Sequence, residues 1–301
     1  MINTITLNPS LDYVVKVNNF KSNALNRIND EQIYVGGKGI NVSIVLKNLG
    51  VDNTALGYIA GFTGDEILRR IKKHNVDCDF FKLQDGMSRI NVKLKSDGET
   101  EINGVGPYIK EKDLNFLYQK VDKLKKGDFL ILSGSIPSSV PDDIYEKIMK
   151  SLLDKEVEFV VDATKDLLLK VLKYKPFLIK PNHHELAEMF NVELKSNQDI
   201  ITYGKKLQEM GAKNVLISMA GDGAILLPHS GQPIKREVPK GTLKNSVGAG
   251  DSMVAGFLCG YLKNKDLNEA FKMGIATGSA SAFSEELATK EEVENLLVQM
   301  K

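Results

Sequence analysis

The sequence contains no tryptophan and only two cysteines among its 301 residues. Cys78 and Cys259 have no CxxC spacing and cannot build a disulfide framework, so we expect two buried free thiols in a reducing compartment. Long apolar runs are also missing, because the longest, Met253 to Leu262, is far below the roughly 20 residues that a membrane span needs. Residues 1–7 have no basic segment followed by an apolar one, so no signal peptide is predicted and we expect a cytoplasmic protein.

An excess of charge of either sign is absent as well. The chain has 40 Lys and Arg against 39 Asp and Glu, a formal net charge of +1. Proteins that bind a nucleic-acid backbone or an anionic membrane usually carry a broad basic field, so we expect neither partner. Any anionic ligand has to be held by a few well-placed groups.

Strands alternate with amphipathic helices along the chain, without internal repeats or linkers. This pattern predicts a single α/β domain over residues 1–301, built on a mostly parallel sheet that helices cover on both faces. Two stretches, at about 12–36 and 89–106, instead predict antiparallel strands, and the second contains a hairpin signal at residues 96–98. We interpret them as inserts that build a small antiparallel β lid. An edge extension of the main sheet is the alternative.

A glycine-rich segment, NSVGAGDS at residues 245–252, precedes an apolar helix. Amides at a helix N-terminus favour an anion, and here they would belong to Gly248, Ala249 and Gly250. Asp251 in the same turn is suited to accept a proton from a hydroxyl group that attacks phosphorus. A plain glycine turn with an ordinary acidic residue at the helix start is the alternative that the residues leave open.

A second glycine cluster, GGKGIN at residues 36–41, precedes another helix. Asp12 follows the first predicted strand, where ligand crevices of α/β folds open, and with Asn41 it offers a hydrogen-bond acceptor and a donor to a polyol. A tight turn into the helix explains the glycines equally well. The Walker loop, the dinucleotide fingerprint, HExxH and the nucleophile elbow are all absent.

Together and in this order, GGKGIN and SVGAGDS resemble the motifs of the ribokinase-like sugar kinases, also called the phosphofructokinase B family. NPSLD at 8–12, SRINVK at 88–93, SGSIP at 133–137 and KPNHHE at 180–185 are similar too, so the resemblance covers essentially the whole chain. It implies a ribokinase-like fold and Mg²⁺-dependent transfer of the γ-phosphoryl group of ATP to a phosphorylated ketohexose. The motifs resemble most the branch that acts on fructose 1-phosphate, with tagatose-6-phosphate kinases as near neighbours. A non-catalytic sugar-phosphate-binding regulator would be expected to lack the base or the anion hole.

The resemblance implies that Asp251 is the catalytic base and that the amides of residues 248–250 form the anion hole. Lys38 and Arg89 match cations near the phosphate of the substrate, and Arg27 is a weaker candidate for the same phosphate. The full set of implied substrate contacts comprises Asp12, Gly36, Gly37, Lys38, Asn41, Arg89 and Ser135.

On the nucleotide side, the resemblance implies ATP contacts from Lys180, Ser218, Gly221, Gly223 and Gly250. Met219 departs from the smaller residue that many members carry there, which puts these contacts in question. Asn182 and Glu185 match an element that holds Mg²⁺ through water, although the same spacing is typical of an ordinary helix cap. Asp162 is a further candidate near the metal and phosphates. Since lids in this family commonly pair between subunits, a homodimer through the lids is expected.

Overall fold

The computed structural model describes residues 1–163 and 165–300. The strands are β1 (Ile2–Thr6), β2 (Ser10–Lys16), β3 (Asp30–Gly36), β4 (Thr54–Ala60), β5 (Asp77–Leu83), β6 (Arg89–Lys95), β7 (Glu99–Asn103), β8 (Phe129–Ser133), β9 (Glu158–Asp162), β10 (Leu178–Ile179), β11 (Asn214–Ser218), β12 (Ala224–Leu227) and β13 (Ile234–Arg236). The helices are α1 (Lys38–Asn48), α2 (Gly61–Lys73), α3 (Leu114–Val121), α4 (Ile144–Ser151), α5 (Lys165–Val171), α6 (His183–Phe190), α7 (Asn197–Glu209), α8 (Ala249–Asn264), α9 (Leu267–Phe283) and α10 (Lys290–Gln299).

The main sheet has nine strands in the order β13-β12-β11-β10-β9-β8-β1-β4-β5. Strands β5 to β11 of this order are parallel, and β12 and β13 add an antiparallel edge. The sequence of strand β8, FLILS, is apolar at four consecutive positions, which suits a strand in the interior of the sheet. Leu130 and Leu132 enter the apolar core on one face, and Phe129 and Ile131 enter the core on the other. Such continuous apolar strands are typical of a sheet that helices cover on both faces, as predicted.

The strand order reverses between β1 and β8. From β1 the chain adds β4 and β5 on one side, and from β8 it adds β9, β10 and β11 on the other. Ligands of open α/β sheets bind outside the carboxyl ends of the strands at such a reversal. The fold therefore places a crevice beside the residues that follow β1 and β8.

Helices α8 and α9 pack tightly beneath this crevice. A Cβ atom on Gly256 of α8 would lie 2.3 Å from Oγ1 of Thr277 of α9, so only glycine permits this approach. Both helices are buried along most of their length. Because α8 is held in this way, the first turn of the helix, which carries Asp251, has a defined position.

Four strands form a second, smaller sheet in the order β3-β2-β6-β7, called the small sheet below. The pairs β2–β3 and β6–β7 are antiparallel, as the sequence predicts, whereas the central pair β2–β6 is parallel. Asp12 lies inside β2 rather than in a loop after the first strand. Its carboxylate is buried and hydrogen-bonded there, which an exposed loop would not provide.

The two faces of the small sheet differ in chemistry. Asp12 lies opposite Asn91, which lies opposite Asn103, so these polar side chains share one face. The other face carries an apolar row from one edge of the sheet to the other, formed by Ile33, Tyr13, Val92 and Ile102.

From the sequence, we expected two buried free thiols and no membrane-spanning helix. Cys259 is buried, but Cys78 is only half-buried because β5 is the edge strand of the main sheet, and both thiols are free. None of the described helices is long and apolar enough to cross a membrane. The cytoplasmic location stays a prediction.

Candidate active site

The residues singled out in the sequence converge on the reversal of strand order. Ser133 ends β8, Asp162 ends β9, and Lys180 follows β10 directly. Helices α1 and α8 begin nearby, since Asn41 of α1 donates a hydrogen bond from Nδ2 to Oδ2 of Asp251 of α8 over 2.8 Å. Two motifs that are 210 residues apart in sequence thus meet in one site.

Asp251 is 6% exposed. Burial and the negative charge of Asp162 together raise the pKa of this carboxyl to about 6, against the lowering effects of Lys38, Asn41 and Lys180. A carboxylate with a pKa near 6 is ionised at neutral pH and is still a stronger base than an ordinary aspartate. Its environment suits it to accept a proton.

Gly248 precedes α8 with a φ of 77°, the left-handed conformation that glycine adopts without strain. The amides of Gly248 and Gly250 donate to no backbone acceptor within the described residues. The amide of Ala249 differs, since it donates to the carbonyl of Ser246 over a long 3.3 Å. Beside this turn, a Cβ atom on Gly250 would lie 3.2 Å from Nζ of Lys180. An ammonium group therefore lies close to the start of a helix whose first amides have no backbone acceptor, and this combination favours an anion.

Asp162 joins two lysines in the interior. Its Oδ1 lies 3.0 Å from Nζ of Lys38, and its Oδ2 lies 3.3 Å from Nζ of Lys180. Burial alone would raise the pKa of Asp162, but Lys180 and Lys38 outweigh that effect and hold the pKa below its ordinary value. In turn, the pKa of Lys38 is raised because Asp162 and Asp251 outweigh its burial. Asp162 and Lys38 are therefore both charged at neutral pH.

A cavity of about 290 Å³ opens beside this cluster. Lys38, Arg89 and Ser135 line it. Arg89 donates from Nε to the carbonyl of Asn8 over 3.1 Å, and no carboxylate lies within 4 Å of its guanidinium group among residues 1–163 and 165–300. Burial lowers the pKa of Arg89, but a guanidinium group still keeps its proton. An unpaired, half-buried cation at a cavity indicates an anionic ligand.

Several residues that line this cavity carry a buried side-chain oxygen without a hydrogen-bond partner among the described residues. They are Thr6, Asn8, Ser133 and Asp162, and Oδ2 of Asp162 faces Nζ of Lys180 instead. A buried polar group that lacks a partner costs about 1–3 kcal/mol, so the surroundings of this cavity are polar and not fully hydrogen-bonded.

Asp12 lines a second, larger cleft of about 1150 Å³ together with Asn41. Oδ1 of Asp12 accepts hydrogen bonds from Oγ of Ser10 over 2.7 Å and from Nδ2 of Asn91 over 2.8 Å. Gly36 on β3 allows this arrangement, since a Cβ atom there would lie 2.6 Å from both carboxylate oxygens of Asp12. The predicted pair of Asp12 and Asn41 thus faces one cleft.

The residues predicted for the nucleotide lie at the end of β11. Ser218 forms a backbone bridge with Asn182, which brings the predicted ATP and metal elements side by side. Gly221 and Gly223 follow in a tight turn, where Gly223 has a φ of 86°. The side chain of Met219, which departs from the family pattern, is buried in the apolar core. The ATP contacts of this turn stay a prediction.

Asn182 and Glu185 form a reciprocal helix cap. Oδ1 of Asn182 accepts from the amide of Glu185, and Oε2 of Glu185 accepts from the amide of Asn182, both over 2.8 Å. Arg27 is exposed in the loop between β2 and β3 and does not line the cavity that Arg89 lines.

Two further buried residues of the site, Asn91 and Lys93, were not predicted from the sequence, although both lie in the motif SRINVK at residues 88–93. Asn91 and Lys93 alternate with Arg89 along β6 and therefore share its face, the face of Asp12. The available signal was that every second residue of this predicted strand is polar, which places these residues on one face of the sheet.

The family model of the pfkB family carbohydrate kinases matches residues 6–293. The chain belongs to this family. The kinase is 50% identical over 301 residues to the 1-phosphofructokinase of Bacillus subtilis (strain 168), covering 100% of this chain and 99% of that one. It is 38% identical to the D-tagatose-1-phosphate kinase of Bacillus licheniformis, covering 95% of this chain and 94% of the relative. The resemblance inferred from the sequence motifs is confirmed.

Solved structures agree with this membership. Phosphofructokinase-2 from Escherichia coli in complex with substrates and products has a TM-score of 0.93 to the kinase at 26% identity, covering 100% of this chain and 99% of that one. Ribokinase from Arabidopsis thaliana with ribose and ATP has a TM-score of 0.80 at 19% identity, covering 98% of both chains. The ribokinase-like fold class is therefore confirmed as well.

Proposed function

We propose that this kinase transfers the γ-phosphoryl group of ATP to fructose 1-phosphate, giving fructose 1,6-bisphosphate and ADP. The observation that carries the proposal is the unpaired, half-buried Arg89 at a cavity beside the reversal of strand order. A planar guanidinium group suits the phosphate that the substrate already carries. The identity of 50% with a 1-phosphofructokinase supports this choice of sugar.

Asp251 acts as the base in this proposal. The C6 hydroxyl group of the sugar attacks the γ-phosphorus, its proton passes to the Asp251 carboxylate, and the bond from phosphorus to the bridging oxygen of ADP breaks. The free amides of Gly248 and Gly250, with the amide of Ala249 and the ammonium group of Lys180, stabilise the negative charge of the group in transfer. The presence of both base and anion hole argues against a non-catalytic regulator.

The sugar lies between the two cavities in this arrangement. Its phosphate is held by Arg89, Lys38 and Ser135, and its hydroxyl groups are held by Asp12 and Asn41 with the backbone of residues 36–37. On the other side, Lys180 and the turn formed by Ser218, Gly221 and Gly223 contact the phosphates and ribose of ATP.

Mg²⁺ is proposed beside this nucleotide turn. Among the described residues, no group of three or more His, Cys, Asp or Glu is placed to hold a metal ion on its own. The donors present are the amide oxygen of Asn182 and the carboxylate of Glu185. Oδ1 of Asn182 and Oε2 of Glu185 each accept one hydrogen bond in the helix cap. Hard oxygen donors that are partly engaged fit Mg²⁺, which keeps several waters and binds phosphate oxygens. When bound, the ion neutralises charge on the phosphates of ATP.

The small sheet is proposed as a lid that also forms a homodimer. Ile33 and Ile102 on its apolar face are 41% and 62% exposed, and Ile90 beside them is 36% exposed. A second copy of the chain would cover these side chains, and closure of the polar face over the sugar would exclude water from the phosphoryl group. Light scattering at micromolar concentration tests the dimer, and a strictly monomeric species would contradict it.

An ADP-release assay tests the substrate. Fructose 1-phosphate, D-tagatose 1-phosphate, tagatose 6-phosphate and fructose 6-phosphate are compared by kcat/KM at saturating ATP and Mg²⁺. We expect the highest value for fructose 1-phosphate. D-tagatose 1-phosphate is the second candidate, because a kinase named for it is 38% identical. A preference for either 6-phosphate would overturn the assignment, and sugar binding without any ADP release would favour the regulator.

A further inference from the structure

The polar face of strand β6 carries two residues to which no role has been assigned. Asn91 is 5% exposed and Lys93 is 8% exposed. Lysine is almost never fully buried unless it is paired, so such burial requires a partner. Both partners of Lys93 are carboxylates, since its Nζ lies 3.1 Å from Oε1 of Glu101 and 3.9 Å from Oδ2 of Asp12.

Asn91 links the same carboxylate to Gly104, the residue directly after β7. Its Nδ2 donates to Oδ1 of Asp12 over 2.8 Å, and its Oδ1 accepts from the amide of Gly104 over 3.2 Å. Oδ1 of Asp12 therefore receives two hydrogen bonds, the other from Ser10. The contacts differ between the two oxygens, because Oδ2 faces Lys93 at a distance longer than a hydrogen bond.

We propose that Asn91 and Lys93 are positioning residues that act through Asp12 and so determine the affinity for the sugar. Asn91 fixes the plane of the Asp12 carboxylate, and Lys93 places a positive charge opposite Oδ2, which stays available to accept a sugar hydroxyl group. This inference rests on the proposed function, in which Asp12 binds the sugar. Recognition of the sugar then depends on three strands of the small sheet, β2, β6 and β7.

Lys95 serves as a control for Lys93, although its side chain is 42% exposed and that of Lys93 only 11%. Lys95 follows on the same strand and face, and its Nζ lies 3.8 Å from Oε1 of Glu99 of β7, but it makes no ion pair with Asp12. Lys93→Met and Lys95→Met thus each remove one ammonium group that faces a carboxylate of β7. Only the first removes a charge that faces Asp12.

The test measures KM and kcat for fructose 1-phosphate and KM for ATP. For Lys93→Met and Asn91→Ala we expect KM for the sugar to rise about tenfold, as for the loss of one hydrogen bond to a charged group, with KM for ATP unchanged. Lys93→Arg should restore most of the affinity, and Lys95→Met should resemble the wild type. A purely structural role would change both KM values or the kcat together. Equal KM values for Lys93→Met and Lys95→Met would overturn the inference.

Calorimetric titration with fructose 1-phosphate completes a double-mutant cycle that does not depend on turnover. If Lys93 acts through Asp12, Lys93→Met should not weaken binding further in an Asp12→Asn background. Additive losses would mean that Lys93 acts independently of Asp12, against the inference. A wild type without turnover on fructose 1-phosphate would instead contradict the proposed function, so the two failures are distinguishable.

Discussion

The pH dependence of turnover tests whether Asp251 is the base. Burial, helped by the negative charge of Asp162, raises the pKa of this carboxyl to about 6. A base must be deprotonated to accept a proton, so kcat/KM should fall as the pH drops through this value. With a pKa of about 6, the carboxyl is about 90% ionised at pH 7 and only about 10% ionised at pH 5.

Two substitutions should move this midpoint in opposite directions. Asp162→Asn removes the negative charge that raises the pKa of Asp251 and leaves Lys38 and Lys180 nearby, so the midpoint moves to lower pH. Asn41→Leu removes the hydrogen bond of 2.8 Å to the carboxylate, so the midpoint moves to higher pH. We expect about 0.5–1 pH unit in each direction, which corresponds to about 0.7–1.4 kcal/mol.

The assay is kcat/KM for fructose 1-phosphate from pH 5 to 9 at saturating ATP. The phosphate of the substrate also titrates near pH 6, so the wild-type profile alone does not assign the group. The substrate is common to all variants, however, and only an enzyme group can move between them. Asp142→Asn is the control, because Asp142 is 79% exposed and paired with Lys170 on the surface. A midpoint that is the same in all four proteins would refute Asp251 as the titrating base.

Three further predictions concern the phosphate site, the metal site and the dimer interface. Arg89→Met should raise KM for fructose 1-phosphate about 100-fold and change turnover of unphosphorylated fructose little, because only fructose 1-phosphate carries a phosphate that Arg89 can bind. Equal losses with both sugars would mean that Arg89 has a structural role. Asn182→Ala should cost about 1 kcal/mol in urea unfolding and raise the Mg²⁺ concentration for half-maximal rate; an unchanged Mg²⁺ requirement would leave only the helix cap. Ile33→Asp combined with Ile102→Asp should give monomers in light scattering, and a persistent dimer would place the interface elsewhere.

Much of the fold could be predicted from local sequence patterns. The alternation of strands and helices predicted the main sheet, and the hairpin signal at residues 96–98 predicted the antiparallel pair β6–β7. Both patterns depend only on residues that are close in sequence. The parallel pairing of β2 with β6 could not be predicted in this way, because Asp12 and Asn91 are 79 residues apart. That pairing places Asp12 inside a strand instead of a loop.

The candidate site was predictable where a motif combines glycines with one charged residue, as at Asp251. The site was harder to predict where the environment of a side chain depends on charged residues that are distant in sequence. Asp162 was only a weak candidate, yet it pairs with both Lys38 and Lys180, which lie in separate parts of the chain. For Asn182 the spacing supported a cap and a metal ligand alike, and the structure contains the cap, while the metal role stays a prediction.

We expect the sugar to bind with its phosphate at Arg89 and its free hydroxymethyl group at Asp251. A crystal structure of Asp251→Asn with fructose 1-phosphate would show this orientation. The phosphate should contact the guanidinium group of Arg89, and the C6 hydroxyl group should lie about 3 Å from the side chain at position 251. A sugar bound in the opposite direction, with its phosphate beside position 251, would rule out both the phosphate site at Arg89 and the role of Asp251 as the base.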